Sequence, residues 1–351
     1  MAEEVQGRRT VTRRATLTLA PAAALGVLFT PLIARAQARI SWRLQTNWPP
    51  GNLLFDEIKG LADRVRVMSG GRLTVEMLPV GAVAGPNQTI DVVRAGVLDG
   101  HVSFSTIFSG IDAGFAPLAD LPGAFDAPFQ LYEYQYANGG LELMREAYAR
   151  FDMFTIGTGT GSFEAIPSRV PLRRLSDFQG VKLRSPPGIS SLIWQRLGAV
   201  PINLPQSEVF SALERGVIDA ADDGTLAYNL QNGDYAQAKF TLLNSPHSNG
   251  FYDVSVGRAR WNAVPDDLKE ILQVAVRDTM IRNILRANRE DIDALPQVRA
   301  RGVEVAEFTP EDRATYRRLA QEVWTEWASR TPFSKRVIDN HIAYLRRIGK
   351  L

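Results

Sequence analysis

The apolar and polar positions of this chain keep two rhythms in turn. Ile40–Gln45 alternates at every second residue and predicts a first strand. Thr46-Asn-Trp-Pro-Pro-Gly-Asn52 predicts a loop, because paired prolines and a glycine cannot continue a ladder. From Leu53 to Met68 the apolar residues fall at 54, 58, 61, 65 and 68, the period of a helix. A turn at Ser69–Arg72 leads to an alternating strand, Leu73–Leu78. A helix over Gln88–Ala95 and a strand over His101–Phe104 complete a βαβαβ series, the pattern of a mostly parallel sheet. Asp120–Phe129 predicts a loop, and Leu131–Phe151 a single helix. A second series follows, with strands at Phe154–Gly161, Val181–Arg184, Gly198–Leu204 and Val217–Ala221. Ser190–Leu197 and a segment opened by Pro205–Glu208 supply its helices. Val264-Pro-Asp-Asp267 then caps a long helix with apolar residues at 268, 271, 272, 275, 281, 285 and 292. It is expected to end near Ala294, before Pro296, after roughly 40 Å. Thr309–Arg330 and Pro332–Ile348 predict two further helices.

One phrase occurs in both series. Ala95-Gly-Val-Leu-Asp-Gly100 returns as Arg215-Gly-Val-Ile-Asp-Ala220. Each copy ends an amphipathic helix, and each places a glycine where a left-handed C-cap is needed. Two copies of one helix–glycine–strand unit suggest two similar α/β lobes, and two lobes make a cleft.

The N-terminus changes the charge balance. Arg13-Arg14 directly precedes an apolar run, Ala15 to Ile33, and Ala34-Arg35-Ala36 fits a small-x-small cleavage site. Residues 1–36 are therefore expected to be a twin-arginine export signal, with Thr16 where such signals usually carry phenylalanine. Pro21 and Pro31 interrupt the run, which argues against a retained anchor. Of 40 basic and 38 acidic residues, 35 and 36 remain beyond Ala36, a net charge of −1. No basic face is left to suggest nucleic acid. The absence of cysteine excludes disulfides, thiolate metal sites and cysteine nucleophiles.

Little in the chain nominates catalysis. The histidines are His101, His247 and His341, with no HExxH spacing and no G-x-S-x-G elbow. Gly157-Thr-Gly-Thr-Gly161 lacks the lysine and hydroxyl of a phosphate loop. Binding chemistry is better represented. Arg184 ends a strand beside Ser185-Pro-Pro-Gly188, which stops the ladder, and its planar fork suits a carboxylate. Asp222 and Asp223 follow the second repeat, at the strand end where open α/β sheets bind ligands. They can accept hydrogen bonds from ligand hydroxyls or an amine, or form a solvated acid pair. Trp48 offers either a stacking surface or an apolar plug. Asn203 and Asn229 are weaker candidates.

Several motifs together carry a family resemblance. They are Ser69-Gly-Gly-Arg-Leu73, Ala95-Gly-Val-Leu-Asp99, Asp177-Phe-Gln-Gly-Val-Lys-Leu-Arg184, Arg215-Gly-Val-Ile-Asp219 and Trp261-x-x-Val-Pro265. In this order the chain resembles the DctP-type solute-binding proteins of tripartite ATP-independent periplasmic (TRAP) transporters. Gln45-Thr-Asn-Trp-Pro49 and Pro332-Phe-Ser-Lys335 are similar to the branch that binds 2-oxo acids and related carboxylates. The resemblance implies an α/β, two-lobed periplasmic binding protein fold with a long lobe-spanning helix. Lobe I would hold 37–156 and 251–263, lobe II 157–250, the spanning helix 264–295, and the C-terminal helices 296–351. It implies a periplasmic protein, not an enzyme, that closes on a small organic acid (2-oxo, 2-hydroxy or sugar acid). The acid would pass to the small and large membrane subunits of the permease. Arg184 matches the arginine that holds the substrate carboxylate. Phe251 and Tyr252 fall in the stretch that lines the cleft. The branch places a glutamate and a tryptophan where Asp222 and Asp223 stand, and a metal ion bound partly by that glutamate. Its loop glutamine falls in Ser162-Phe163-Glu164, at Phe163, with Glu164 beside it. No cofactor is required, and a sodium or calcium ion at Asp222 stays open. So does a homodimer, since some members pair through a C-terminal helix. A periplasmic sensing module and a periplasmic enzyme remain the rival readings.

Overall fold

The computed structural model describes residues 39–160, 162–243 and 252–351. The expected export signal lies outside the described residues. No helix among those described is long and apolar enough to cross a membrane.

The strands are β1 (Ile40–Thr46), β2 (Leu73–Leu78), β3 (Gly100–Phe104), β4 (Met153–Gly159), β5 (Ile166–Ser168), β6 (Lys182–Arg184), β7 (Val200–Ile202), β8 (Ala220–Ala221), β9 (Phe240–Leu243), β10 (Tyr252–Gly257) and β11 (Glu304–Glu307). They form two sheets, ordered β2-β1-β3-β10-β4 and β11-β9-β5-β8-β6-β7. In the first, β10 runs antiparallel to β3 and β4 while β1 pairs parallel with β2 and β3. In the second, β8, β6 and β7 are parallel, and so are β11 and β9. The expected α/β class with two lobes is the one observed.

The repeated phrase has the same geometry in both sheets. The helices Thr89–Arg94 and Val209–Glu214 end before Gly96 and Gly216, at φ 74° and 70°. Past each glycine the chain bonds back to the helix, Val97 N–H to Val92 O at 3.0 Å and Val217 N–H to Ala212 O at 2.9 Å. Left-handed backbone costs a residue with a Cβ about 1–2 kcal/mol, so glycine suits the site. The aspartates then bridge to the neighbouring strand. Asp99 N–H donates to Arg43 O at 3.0 Å, and the Asp99 carboxylate accepts Arg43 N–H at 2.7 Å. Asp219 does the same with Lys182, at 2.7 and 3.0 Å. The phrase thus welds a helix end to the start of a parallel strand pair.

Other segments depart from the sequence expectation. The helix expected over 131–151 is two, Pro128–Ala137 and Gly140–Ala149, broken where Gly139 takes φ 88°. The long helix runs Asp266–Ala300, through Pro296 rather than ending before it. A proline removes one backbone donor and crowds the preceding turn. Here it lies on the exposed face, where water can take the carbonyl, and buried Ala294 and Val298 hold the turns on either side. β4 stays in the first sheet beyond residue 156, and β11 joins the second sheet from the segment expected to be helical only. Four residues with two apolar positions carry too short an alternation to be recognised.

The long helix packs on both sheets' surroundings. Leu268, Leu272, Ala275 and Val276 join the core of Trp42, Leu44, Phe55 and Val254. Ala294 and Val298 join a different core, with Leu226, Tyr235 and Val303. The C-terminal helix Pro332–Arg347 also serves two cores, through Phe333 and Val337 on one side and Ile338, Tyr344 and Leu345 on the other.

His341, on that last helix, is fully buried, stacked on Tyr134 at 3.8 Å, with Nε2 2.9 Å from Pro117 O. Burial pushes its pKa down to about 3. The unfolded chain binds this proton below about pH 6.5 and the native state does not, so stability falls as pH drops from 6.5 toward 3. Between pH 6.5 and 4.5 one such group removes about 2.3 kcal/mol. Urea unfolding at pH 7.0 and 4.5 should show His341→Gln losing less stability across that interval than the natural protein, by about 2 kcal/mol.

Candidate functional site

The parallel strands of both sheets deliver their C-terminal ends to one cleft. It has a volume of about 110 Å³. From the first sheet come Trp48, after β1, Phe104, closing β3, and Tyr252, opening β10. From the second come Asp223, after β8, and Glu164, ahead of β5. The long helix closes the side with Asn283, Arg286, Ala287 and Glu290.

The first-sheet wall is aromatic. Trp48 is 4% exposed and meets Phe104 and Tyr252 edge-on, with ring centroids 5.2 and 6.0 Å apart. The loop holding Trp48 folds on itself, Thr46 Oγ1 donating to Trp48 O at 3.1 Å. Tyr252 lies flat against Gly159, where a Cβ would stand 2.0 Å from the ring. Its hydroxyl is buried and finds no partner among the described residues, and burial raises its pKa well above the usual 10. Such a group is set to donate to something in the cleft. Phe251 lies outside the described residues.

The second-sheet wall is built around a buried guanidinium. Arg184 ends β6 and is 8% exposed. Its Nε donates to Leu204 O at 3.2 Å and its Nη1 to Asp222 O at 2.5 Å. Nη1 also lies 3.2 Å from Asp223 Oδ1. Arg184 itself does not line the cleft; Asp223 does, and stands between the two. Asp223 is 5% exposed, and burial raises its carboxyl to about pKa 7, with Arg184 pulling it down and Asp234 and Asp222 pushing it up. Gln206, also in the lining, donates from Nε2 to Asp223 O at 2.9 Å.

Asp222 departs from its expected place. Its carboxylate is fully buried, away from the cleft, and accepts the Trp194 indole N–H at 3.0 Å. Two consecutive residues on extended chain point to opposite faces, so Asp222 turns inward where Asp223 turns to the cleft. Among the described residues no group of three or more histidines and carboxylates is gathered to hold a metal. Asp222 gives one carboxylate oxygen to Trp194, and a guanidinium stands beside Asp223.

The remaining candidates separate clearly. Glu164 lines the cleft, whereas Phe163 lines a hollow of about 430 Å³ with Asp126, Arg313 and Arg317. Asn203 is exposed and lies 3.3 Å from the Ser191 hydroxyl that donates to it. Asn229 is buried and ties Ala165 O to Gly224 O from Nδ2, at 2.9 and 3.2 Å, which fixes the loops on either side of the cleft.

Sequence reading missed the helix contribution. Asn283, Arg286 and Glu290 sit at helical spacing on the face that carries buried Met280 and Ala287. Polar residues in register with an apolar face were the available signal. Asn283 donates to Thr160 O at 3.1 Å. Arg286 donates to Leu53 O and pairs with Glu290 at 3.0 Å and Glu57 at 3.5 Å.

Known proteins share this architecture. Residues 44–331 match the family described as "Bacterial extracellular solute-binding protein, family 7", DctP. A TRAP periplasmic solute-binding protein from Rhodobacter sphaeroides, solved apo and open, is 32% identical. That match covers 88% of this chain and 99% of the other, at a TM-score of 0.77. A monocarboxylate 2-oxoacid-binding periplasmic protein from Nostoc is 28% identical over 88% of this chain and 85% of its own length. A TRAP solute-binding protein from Pseudoalteromonas atlantica, with bound sodium and pyruvate, has the same fold at 24% identity and a TM-score of 0.78, covering 88% and 95%. With the match running from β1 to beyond the long helix, the chain belongs to the DctP family of TRAP periplasmic solute-binding proteins.

Proposed function

We propose that this protein captures a small organic acid, of the 2-oxo, 2-hydroxy or sugar acid class, in the cleft between its two sheets and hands it to the small and large subunits of a TRAP permease. The relatives are solute-binding proteins rather than enzymes, and the family is periplasmic. The Nostoc relative's 2-oxo acid ligand supports the substrate class. Export through a twin-arginine signal at 1–36 is part of the same reading.

The observation that carries it is the Arg184–Asp223 pair. A buried guanidinium needs an anion, and Asp223 supplies one from the cleft side at 3.2 Å. A ligand carboxylate that reaches Arg184 replaces one carboxylate by another on the same fork. When Asp223 takes a proton, Arg184 keeps its charge and loses its carboxylate partner, so a ligand carboxylate can take that place. Protonation of Asp223 near pH 7 therefore favours the bound acid. Trp48, Phe104 and Tyr252 would cover the apolar part of the ligand, the Tyr252 hydroxyl would donate to its oxo or hydroxyl oxygen, and Glu164 would read the far end. Closing of the two lobes on the acid would present the loaded form, and release would follow opening.

Calorimetry against pyruvate, lactate and gluconate tests the clamp. Arg184→Ala should weaken the preferred acid at least about 30-fold, the loss expected when one partner of a buried charge pair is removed. Unchanged affinity would move recognition to Arg286. For the natural protein, affinity should rise as pH falls from 8 to 6, with a proton taken up on binding. Asp223→Asn should bind more tightly at pH 8 and lose that dependence. Gly159→Ala should push the Tyr252 ring into the cleft, destabilise by about 1–3 kcal/mol in urea and weaken binding in parallel.

A further inference from the structure

The long helix has a second face, turned away from the cleft. Val274, Leu285 and Ile292 are 37%, 59% and 63% exposed, and Ile281 is partly exposed. At 100° per residue these four fall within about 20° of one line, an apolar stripe about 27 Å long. Isolated exposed apolar residues are ordinary, but a straight row of them is not.

The row is also symmetric. Val274 and Ile292 lie nine residues either side of Asn283, and Ile281 and Leu285 two either side. Such a row is self-complementary under a twofold axis, in which each residue meets its mirror position on the second copy. When two such helices meet face to face and antiparallel about Asn283, Val274 meets Ile292 of the second copy and Ile281 meets Leu285.

The flanking charges agree. Twofold rotation keeps each side of the stripe on its own side. Asp278 and Arg289 lie on one side, at about 40° and 60° from the stripe. Asp278 of each copy therefore faces Arg289 of the other, twice over. Asp278 is 44% exposed and already held by Arg282 at 2.7 Å, so its position is set. On the other side Arg277 meets Asn288 rather than another arginine.

The geometry points to a homodimer in which the outward faces of two long helices pack antiparallel about Asn283. The two clefts then open away from the shared seam, since the same helix lines each cleft with its opposite face.

The chain contains no cysteine, so introduced thiols report cleanly. Within one chain, residues 274 and 292 stand about 27 Å apart and cannot be bridged. Val274→Cys and Ile292→Cys, each alone, should give little disulfide dimer on mild oxidation. An equimolar mixture of the two should give abundant cross-linked dimer. Sedimentation velocity from about 5 to 500 μM should show dimer increasing with concentration. Leu285→Asp, at an exposed site that leaves the fold intact, should keep the protein monomeric. Asp278→Arg should weaken the dimer up to about tenfold, and Asp278→Arg/Arg289→Asp should restore it. A protein monomeric throughout this range, a dimer indifferent to Leu285→Asp, or single variants that cross-link as well as the mixture would each overturn the proposal. Monomeric protein whose Leu285→Asp variant loses permease-dependent uptake would assign the face to the permease instead and overturn it equally.

Discussion

The architecture depends on a carboxylate used twice. Asp99 and Asp219 each take the backbone N–H of the residue one ahead of the first registered pair on a neighbouring parallel strand, and each returns its own N–H to that residue's carbonyl. Parallel strands need long crossovers, and nothing in a crossover helix sets where the next strand begins. The aspartate sets it. The start of β3 is thereby pinned to β1 and the start of β8 to β6. The strand ends carry Trp48 and Phe104 on one side, and Asp223 backed by Arg184 on the other, into one cleft. A pocket formed by two sheets needs this pinning in each of them.

Within that pocket, the chemistry follows from burying a charge that cannot be given up. Arginine stays protonated in any protein environment. Its neighbours must adjust, and Leu204 O, Asp222 O and Asp223 do so in different ways. The carbonyls are permanent. The Asp223 carboxyl is conditional, because burial makes its charge expensive near neutrality. In the proposed reading this pairs a fixed cation with a removable anion, an arrangement that suits both binding and release of an acid.

Much of this was legible in the sequence because local rules sufficed. The glycine caps, the repeated aspartate and the strand end at Arg184 are all decided within six residues. The long helix was legible from its period, and its end was misplaced because proline was weighed without knowing that position 296 faces solvent. What escaped is non-local. The inward turn of Asp222 is decided by Trp194, 28 positions earlier. The roles of Asn283 and Arg286 are decided by Thr160 and Leu53, far away along the chain. Splitting of the expected helix at Gly139 was available locally and was overridden by the apolar run around it. β11 exists only because β9 waits beside it.

That last strand bears on how the molecule is made. The second sheet is completed by Glu304–Glu307, and in its core Phe178 stacks on Phe308 while Trp194 meets Tyr316 at a tilt. A ribosome that has finished residues 166–243 has therefore released five strands of six, with their cover still unmade. Contacts that span more than a hundred residues close slowly, and open edges attract other chains meanwhile. The interval before the final helices arrive is when this protein is most exposed to aggregation, and a chaperone that shields the β9 edge would have its effect then.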